Sequence, residues 1–342
     1  MLLKHGGSLN AAAKRWGIAR EHWLDLSTGI NPHGWPVPKI PAAIWQRLPE
    51  ADDGLAALVR QQLQLPQAAG CELLAGSQAA IMNLPRLRPR CRVGVPRIGY
   101  QEHAWQWQQA GHTIVWLDNA LFSAEAAEAA EETTWLEQLD VLIWINPNNP
   151  TGQRVPTQRL LQWLQCLQQR NGWLIVDEAF IDATPEHSLC SQADATGLLI
   201  LRSLGKFYGL AGVRAGAIVG DPAILAELPS LLGPWTLSGP SRYLMARALS
   251  DQRWQQQMRQ LLAKDSQRLR QLLQQHGHSV LGGCALFQTI DCPQPQLLAD
   301  ALAAQGILVR QFGQQQLVRF GLPANSSDWQ RLAKALAGYS AN

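Results

Sequence analysis

Residues 202–216 read RSLGKFYGLAGVRAG, directly behind the apolar run LLIL at 198–201. A short continuous apolar run bounded by turn residues reads as a buried strand. The spacing therefore predicts a strand over LLILR (198–202) that ends at Ser203, with Lys206 just beyond it. Glycines surround the lysine, yet the stretch is not a phosphate-binding P-loop. That motif needs a glycine five positions before Gly205, where Ile200 stands, and Ser or Thr after the lysine, where Phe207 stands. Taken alone, Lys206 also reads as an ordinary surface lysine. Apolar surroundings disfavour the charged form of an amine, and a neutral amine is a nucleophile toward carbonyls.

Upstream, VLIWI (141–145) is a second buried-strand pattern and runs into the turn-rich NPNNPTG (146–152). TQRLLQWLQCLQQRNG (157–172) has leucines at helical spacing and stops at Asn171-Gly172. WLIV (173–176) is a third strand and ends in DEAF (177–180). Strand, helix, strand predicts right-handed parallel crossovers, and the segments 71–84 and 91–111 have the same character. The expected core is a parallel-rich α/β sheet over roughly 40–225, whose ligands bind at the carboxyl ends of the strands. Gly76, Ser77, Asn149, Asp177, Ser203 and Lys206 all sit at such ends and are expected to meet in one pocket. Beyond about 235, a helical stretch (240–275) precedes strand-like pieces at 284–290, 306–312 and 316–322, the pattern of a smaller α+β domain. The predicted division is an N-terminal segment over 1–39, a large domain over 40–234 and a small domain over 235–342. An exposed acidic helix is expected over 122–138.

The 342 residues are 46% hydrophobic and only 16% charged, with a net charge of +3 and no long basic block, which argues against nucleic acid as a partner. Six cysteines without a CxxC pair or Cys/His cluster read as free thiols in a reducing, cytoplasmic compartment. MLLKHGG lacks the apolar region of a signal peptide, and no 18-residue apolar run suggests a membrane span. No metal site is expected: HExxH is absent, and His276 and His278 read as surface residues.

A nucleophilic lysine, a strand-end carboxylate and a cationic, hydroxyl-bearing cluster together meet the needs of pyridoxal phosphate. Its aldehyde needs an amine, its pyridine nitrogen a carboxylate, and its phosphate cations and helix N-terminal donors. Lys206 and Asp177 are the candidate catalytic residues. Ser203, Arg214 and Gly76-Ser77 can cradle the phosphate, Asn149 can donate to the ring hydroxyl, and Tyr100 can stack on the ring.

NPNNPTG, DEAF and SLGKFYGLAGVRAG, in this order, resemble the fold-type-I class I/II aminotransferase family, and the resemblance spans nearly the whole chain. It implies the same roles for Lys206, Asp177, Asn149, Ser203, Arg214, Gly76, Ser77 and Tyr100. It also implies that Arg319, in LVRFG, grips a substrate carboxylate, and that the chain works as a homodimer. Two departures stand out. Phe180 occupies a position where the family often has tyrosine, and Leu48-Pro49 replaces a Tyr-Pro pair whose tyrosine reaches the neighbouring subunit's cofactor.

The N-terminal KHGG and LDLSTGINPHGWP (24–36) resemble the branch of this family that decarboxylates L-threonine O-3-phosphate in the cobalamin pathway. This implies a phosphorylated amino-acid substrate. His5, Gly6 and Gly7 would bind its phosphate through an imidazole and backbone N–H groups. Asn31 would lie near Cα, and Arg310 would be a second cation. An aminotransferase of the histidinol-phosphate type is the alternative reaction. A non-catalytic cofactor-binding module is the alternative of another class.

Overall fold

The computed structural model describes residues 6–122 and 134–339. His5 and most of the expected acidic helix over 122–138 lie outside the described residues. The chain divides into two compact units. The larger is Trp35–Asn149 with Gln153–Gln255, and the smaller is Met1–Gly34, Pro150–Gly152 and Gln256–Asn342. Residues 235–255, expected in the small domain, thus cluster with the larger unit. There the helix Gly239–Ser250 anchors itself through Arg242, whose guanidinium pairs with Asp53.

In the smaller unit, strand β1 (Leu24–Asp25) pairs with a distant partner described below. The larger unit is built on β2 (Gly70–Leu74), β3 (Arg92–Pro96), β4 (Thr113–Leu117), β5 (Val141–Ile145), β6 (Trp173–Asp177), β7 (Leu198–Ser203) and β8 (Gly216–Gly220). Their order across the sheet is β2-β8-β7-β6-β5-β3-β4. All neighbours pair in parallel except β8, which runs antiparallel to both β2 and β7. The apolar runs are unbroken because both faces of the sheet are covered. Leu142, Trp144, Leu174, Val176, Leu198 and Ile200 face one core, while Val141, Ile143, Ile175, Leu199 and Leu201 face the other.

The smaller unit carries an antiparallel sheet ordered β12-β13-β10-β9, from β9 (Val280–Cys284), β10 (Phe287–Asp291), β12 (Arg310–Phe312) and β13 (Leu317–Gly321). Beside it, β1 pairs in parallel with β11 (Ile307–Leu308). The segment expected as one strand over 284–290 is a hairpin: β9 ends at Cys284 and β10 starts at Phe287. The helical stretch 240–275 is likewise two helices, Gly239–Ser250 and Gln252–Gln275. Asp251 breaks them apart and accepts the Trp254 N–H at 3.0 Å, as an N-cap does. His278 is a correction to the surface reading: it is buried, and its ring stacks on Tyr339. All six cysteines are free thiols. Among the described residues no helix is long and apolar enough to cross a membrane, and no cluster of metal-ligating side chains occurs.

Candidate active site

Every polar residue flagged at a strand end in the larger unit lies at one edge of the seven-stranded sheet. β2, β3, β5, β6 and β7 deliver their carboxyl ends there. Because β8 alone is reversed, its first residues lie at that same edge, opposite Ser203 and Leu74. That reversal brings in Arg214, two residues before β8. Ser77, Tyr100, Asn149, Asp177, Ser203, Lys206 and Arg214 line a single cavity, together with Gln78, Ile145, Ala179 and Phe180.

Alternation along the strands decides which side chains reach it. Asp177 continues the face of Ile175, and Ser203 that of Leu201. Their neighbours Glu178 and Arg202 point to the opposite face. There Arg202 Nη1 donates to Glu178 Oε2 at 2.9 Å and Nη2 pairs with Asp182. Glu178 also accepts from the Ser188 hydroxyl and from Leu189 N–H at 2.8 Å. Burial raises the Glu178 carboxyl, while Arg202 and these donors oppose the rise. This buried network ties the end of β6 to the end of β7 behind the cavity.

Asp177 is held on both oxygens. Oδ1 accepts Ala179 N–H at 3.0 Å, and Oδ2 lies 3.0 Å from His103 Nε2. Both side chains of the latter pair are buried, at 5% and 2% exposure. Sequence reasoning missed His103. Its only signal was its position three residues after Tyr100 on the helix Glu102–Gln109, the helix that packs on the Asp177 face of the sheet.

Gly76 is required twice over. Its φ of +79° with ψ 161° belongs to a region open essentially to glycine alone, and a Cβ there would fall 2.8 Å from Arg214 Nη2. Arg214 itself adopts a left-handed backbone, φ +53°. Tyr100 donates its hydroxyl to Gln78 Oε1 at 3.3 Å, and burial pushes its phenol well above the usual range. Lys206 Nζ sits 5.5 Å from the centroid of the Phe180 ring, within reach of a cation–π contact. In the NPNNPTG loop, Asn146 clasps the backbone of Val155 through both ends of its amide. Asn148 donates to Ile98 O at 2.8 Å, and Asn149 lines the cavity.

In the smaller unit, Arg310 and Arg319 stand directly opposite one another on β12 and β13. Like charges in that relation destabilise a sheet and favour an anion beside them. Burial, with a smaller push from Arg310, pulls Arg319 down to about 10, and burial lowers Arg310 as well. The Arg319 guanidinium lies 5.2 Å from the centroid of the Phe287 ring, and its Nη2 donates to Ser27 O at 2.8 Å. Asn31 is buried, and its Oδ1 accepts His33 N–H at 2.8 Å. Gly7 donates its N–H to Ser27 Oγ at 2.7 Å, so that group is already engaged. Gly6 packs with its Cα against Ser27 O.

An amine, a buried carboxylate and an arginine–serine cup around an aromatic wall suit a flat, phosphate-bearing aldehyde. The glycine cradle that a Cβ would fill and the carboxylate fixed on both oxygens fit pyridoxal phosphate. This is the arrangement of fold-type-I pyridoxal phosphate proteins, and comparison with known proteins narrows it. Residues 44–336 match the model of the family described as aminotransferase class I and II. A threonine-phosphate decarboxylase of Pseudomonas aeruginosa is 47% identical over 338 residues, 99% of this chain and 98% of its own length. A second threonine-phosphate decarboxylase, from a Sinorhizobium species, is 35% identical, with 97% of both chains covered. Among solved structures, a histidinol-phosphate aminotransferase from Sinorhizobium meliloti in complex with pyridoxal-5'-phosphate superposes with a TM-score of 0.82. It is 21% identical and covers 98% of this chain and 95% of its own. The chain belongs to the aminotransferase class I and II family.

Proposed function

We propose that this protein is a pyridoxal-phosphate-dependent decarboxylase. It converts L-threonine O-3-phosphate to (R)-1-aminopropan-2-yl phosphate and CO₂, a step of cobalamin biosynthesis. The observation that carries this reading is the 47% identity, over essentially the full length of both chains, to a threonine-phosphate decarboxylase. The in-register Arg310–Arg319 pair supports it, because the substrate brings both a carboxylate and a phosphate.

Pyridoxal phosphate, when bound, supplies the electron sink for the bond that breaks at Cα. Lys206 would hold its aldehyde, Asp177 its pyridine nitrogen, Asn149 its ring hydroxyl and Tyr100 its ring face. Ser77, Ser203 and Arg214 would hold its phosphate. Asp177 would keep that nitrogen protonated, and His103 and Ala179 N–H hold Asp177 as an oriented acceptor. Arg319 would take the substrate carboxylate by a charge-assisted contact, so positioning of that group would select decarboxylation. Arg310 is the second cation and Asn31 the contact near Cα. Gly6 and Gly7 belong to the phosphate-binding segment that His5 leads into. Lys206 Nζ, when released from the aldehyde, would supply the proton that replaces the carboxylate at Cα.

The six free thiols accord with a cytoplasmic enzyme. A homodimer accords with the groove of about 1120 Å³ lined by Ile44, Leu48, Pro49 and Tyr243, beside which Leu48 is 64% exposed. The deciding experiment gives the pyridoxal-phosphate-loaded protein L-threonine O-phosphate with and without 2-oxoglutarate and follows products by mass spectrometry. CO₂ and aminopropanol phosphate independent of 2-oxoglutarate are expected. Glutamate without CO₂ would make the protein an aminotransferase.

A further inference from the structure

One buried serine holds together two parts of the smaller unit that are far apart in sequence. Ser27, 2% exposed, donates its hydroxyl proton to Asp25 Oδ1 at 2.6 Å, and Asp25 Oδ1 also accepts Ser27 N–H at 2.9 Å. A hydroxyl has one proton, so with that proton committed to Asp25 its oxygen offers only lone pairs. Gly7 N–H takes one of them at 2.7 Å. On its other side, Ser27 O accepts from Arg319 Nη2 at 2.8 Å. A Cβ on Gly6 would fall 2.3 Å from that same carbonyl oxygen, closer than any neighbour can accommodate. The first glycine of the pair is therefore demanded by close approach, and the second is anchored through its N–H. Neither contact is to a ligand. Both press the Gly6–Gly7 backbone onto the residue that orients Arg319.

We propose that Ser27, oriented by Asp25, is a positioning residue that sets selectivity for a phosphate-bearing substrate by docking the Gly6–Gly7 segment beside the Arg319 anion site. This rests on the reading above that the substrate is a phosphorylated amino acid. Ser27→Ala deletes the hydroxyl and leaves the carbonyl that Arg319 uses, so it loosens the glycine segment alone.

The test measures KM and kcat separately for L-threonine O-phosphate and for unphosphorylated L-threonine in the loaded enzyme. Calorimetric binding of L-threonine O-phosphate accompanies it. Ser27→Ala is expected to raise KM and the dissociation constant for the phosphorylated substrate about tenfold, the worth of one buried hydrogen bond. It should leave kcat within about twofold and kcat/KM for threonine unchanged. Ser27→Thr, which keeps the hydroxyl, should retain most of the wild-type preference. Ser27→Cys, which keeps the carbonyl that Arg319 uses and puts a weaker acceptor before Gly7 N–H, should give a smaller split of the same kind and decides the matter where Ser27→Ala fails to fold. Equal losses on both substrates, a fall in kcat alone, or no change would overturn the proposal. If the wild type makes glutamate instead of CO₂, the reaction assignment fails, while the ratio for phosphorylated over unphosphorylated substrate still judges Ser27.

Discussion

Replacing His103 by alanine isolates the support of Asp177, the carboxylate proposed to face the cofactor nitrogen. Asp177 has two donors in the structure, Ala179 N–H on Oδ1 and His103 Nε2 on Oδ2, each at 3.0 Å. A carboxylate only accepts, so Nε2 carries the proton of that bond. Both side chains are almost wholly buried, so water does not take the place of the lost donor without a new opening. A hydrogen bond to a charged group contributes about 1.5–3 kcal/mol, which corresponds to about 10- to 150-fold in an equilibrium constant. The dissociation constant for pyridoxal phosphate should rise in His103→Ala, with that factor as the ceiling because the bond already exists in the free protein, read by titrating cofactor-free protein and following visible absorbance. His103→Gln, which restores a donor, should recover most of the loss. If His103→Ala lowers the melting temperature but binds pyridoxal phosphate within about twofold of wild type, the imidazole merely fills space and the reasoning fails.

Lys206→Ala should abolish the visible absorbance of the loaded protein, and an unchanged spectrum would remove Lys206 from the cofactor site. Arg202→Met strands Glu178 as a buried carboxylate without its cation, so it should destabilise the fold by about 3–5 kcal/mol. The double variant Glu178→Leu/Arg202→Met should recover much of that in a denaturant melt, because apolar replacement of a buried pair is often neutral. Burial raises Cys71 and Cys91 to about 11, so both thiols stay protonated well above neutrality. In the native protein their alkylation should be slow at pH 8 and accelerate as pH approaches 11, whereas unfolding in urea at pH 8 should release fast reaction. Mass spectrometry of the alkylated peptides checks this.

The large sheet was legible because its strands are buried on both faces and so appear as unbroken apolar runs, VLIWI and LLIL most plainly. The smaller sheet was less legible because its first strand carries glycines. Gly282 and Gly283 lie inside β9, ahead of the strand-like piece expected from 284, where a Cβ on either would meet the backbone of Thr151 or side-chain and backbone atoms across the hairpin. The actual turn, Ala285-Leu286, carries no turn residue, and Leu286 is fully buried. Asp177, Lys206 and their companions were visible because each lies at or shortly beyond a strand end. His103 and Ser27 were not, because they act on Asp177 and Arg319 across 74 and 292 positions of sequence, distances at which only the folded chain brings partners together.

The pairing of Leu24–Asp25 with Ile307–Leu308 has a consequence for synthesis. About 280 residues separate the two strands, so at about 5–20 residues per second the earlier one waits roughly 15 to 60 s for its partner to leave the ribosome. The larger unit, complete by Gln255, is free to fold first, while Trp23 and Leu24 remain exposed to water and to chaperones. The segment that bears the proposed phosphate-binding glycines is made well before the strand it docks beside and is among the last to find its place.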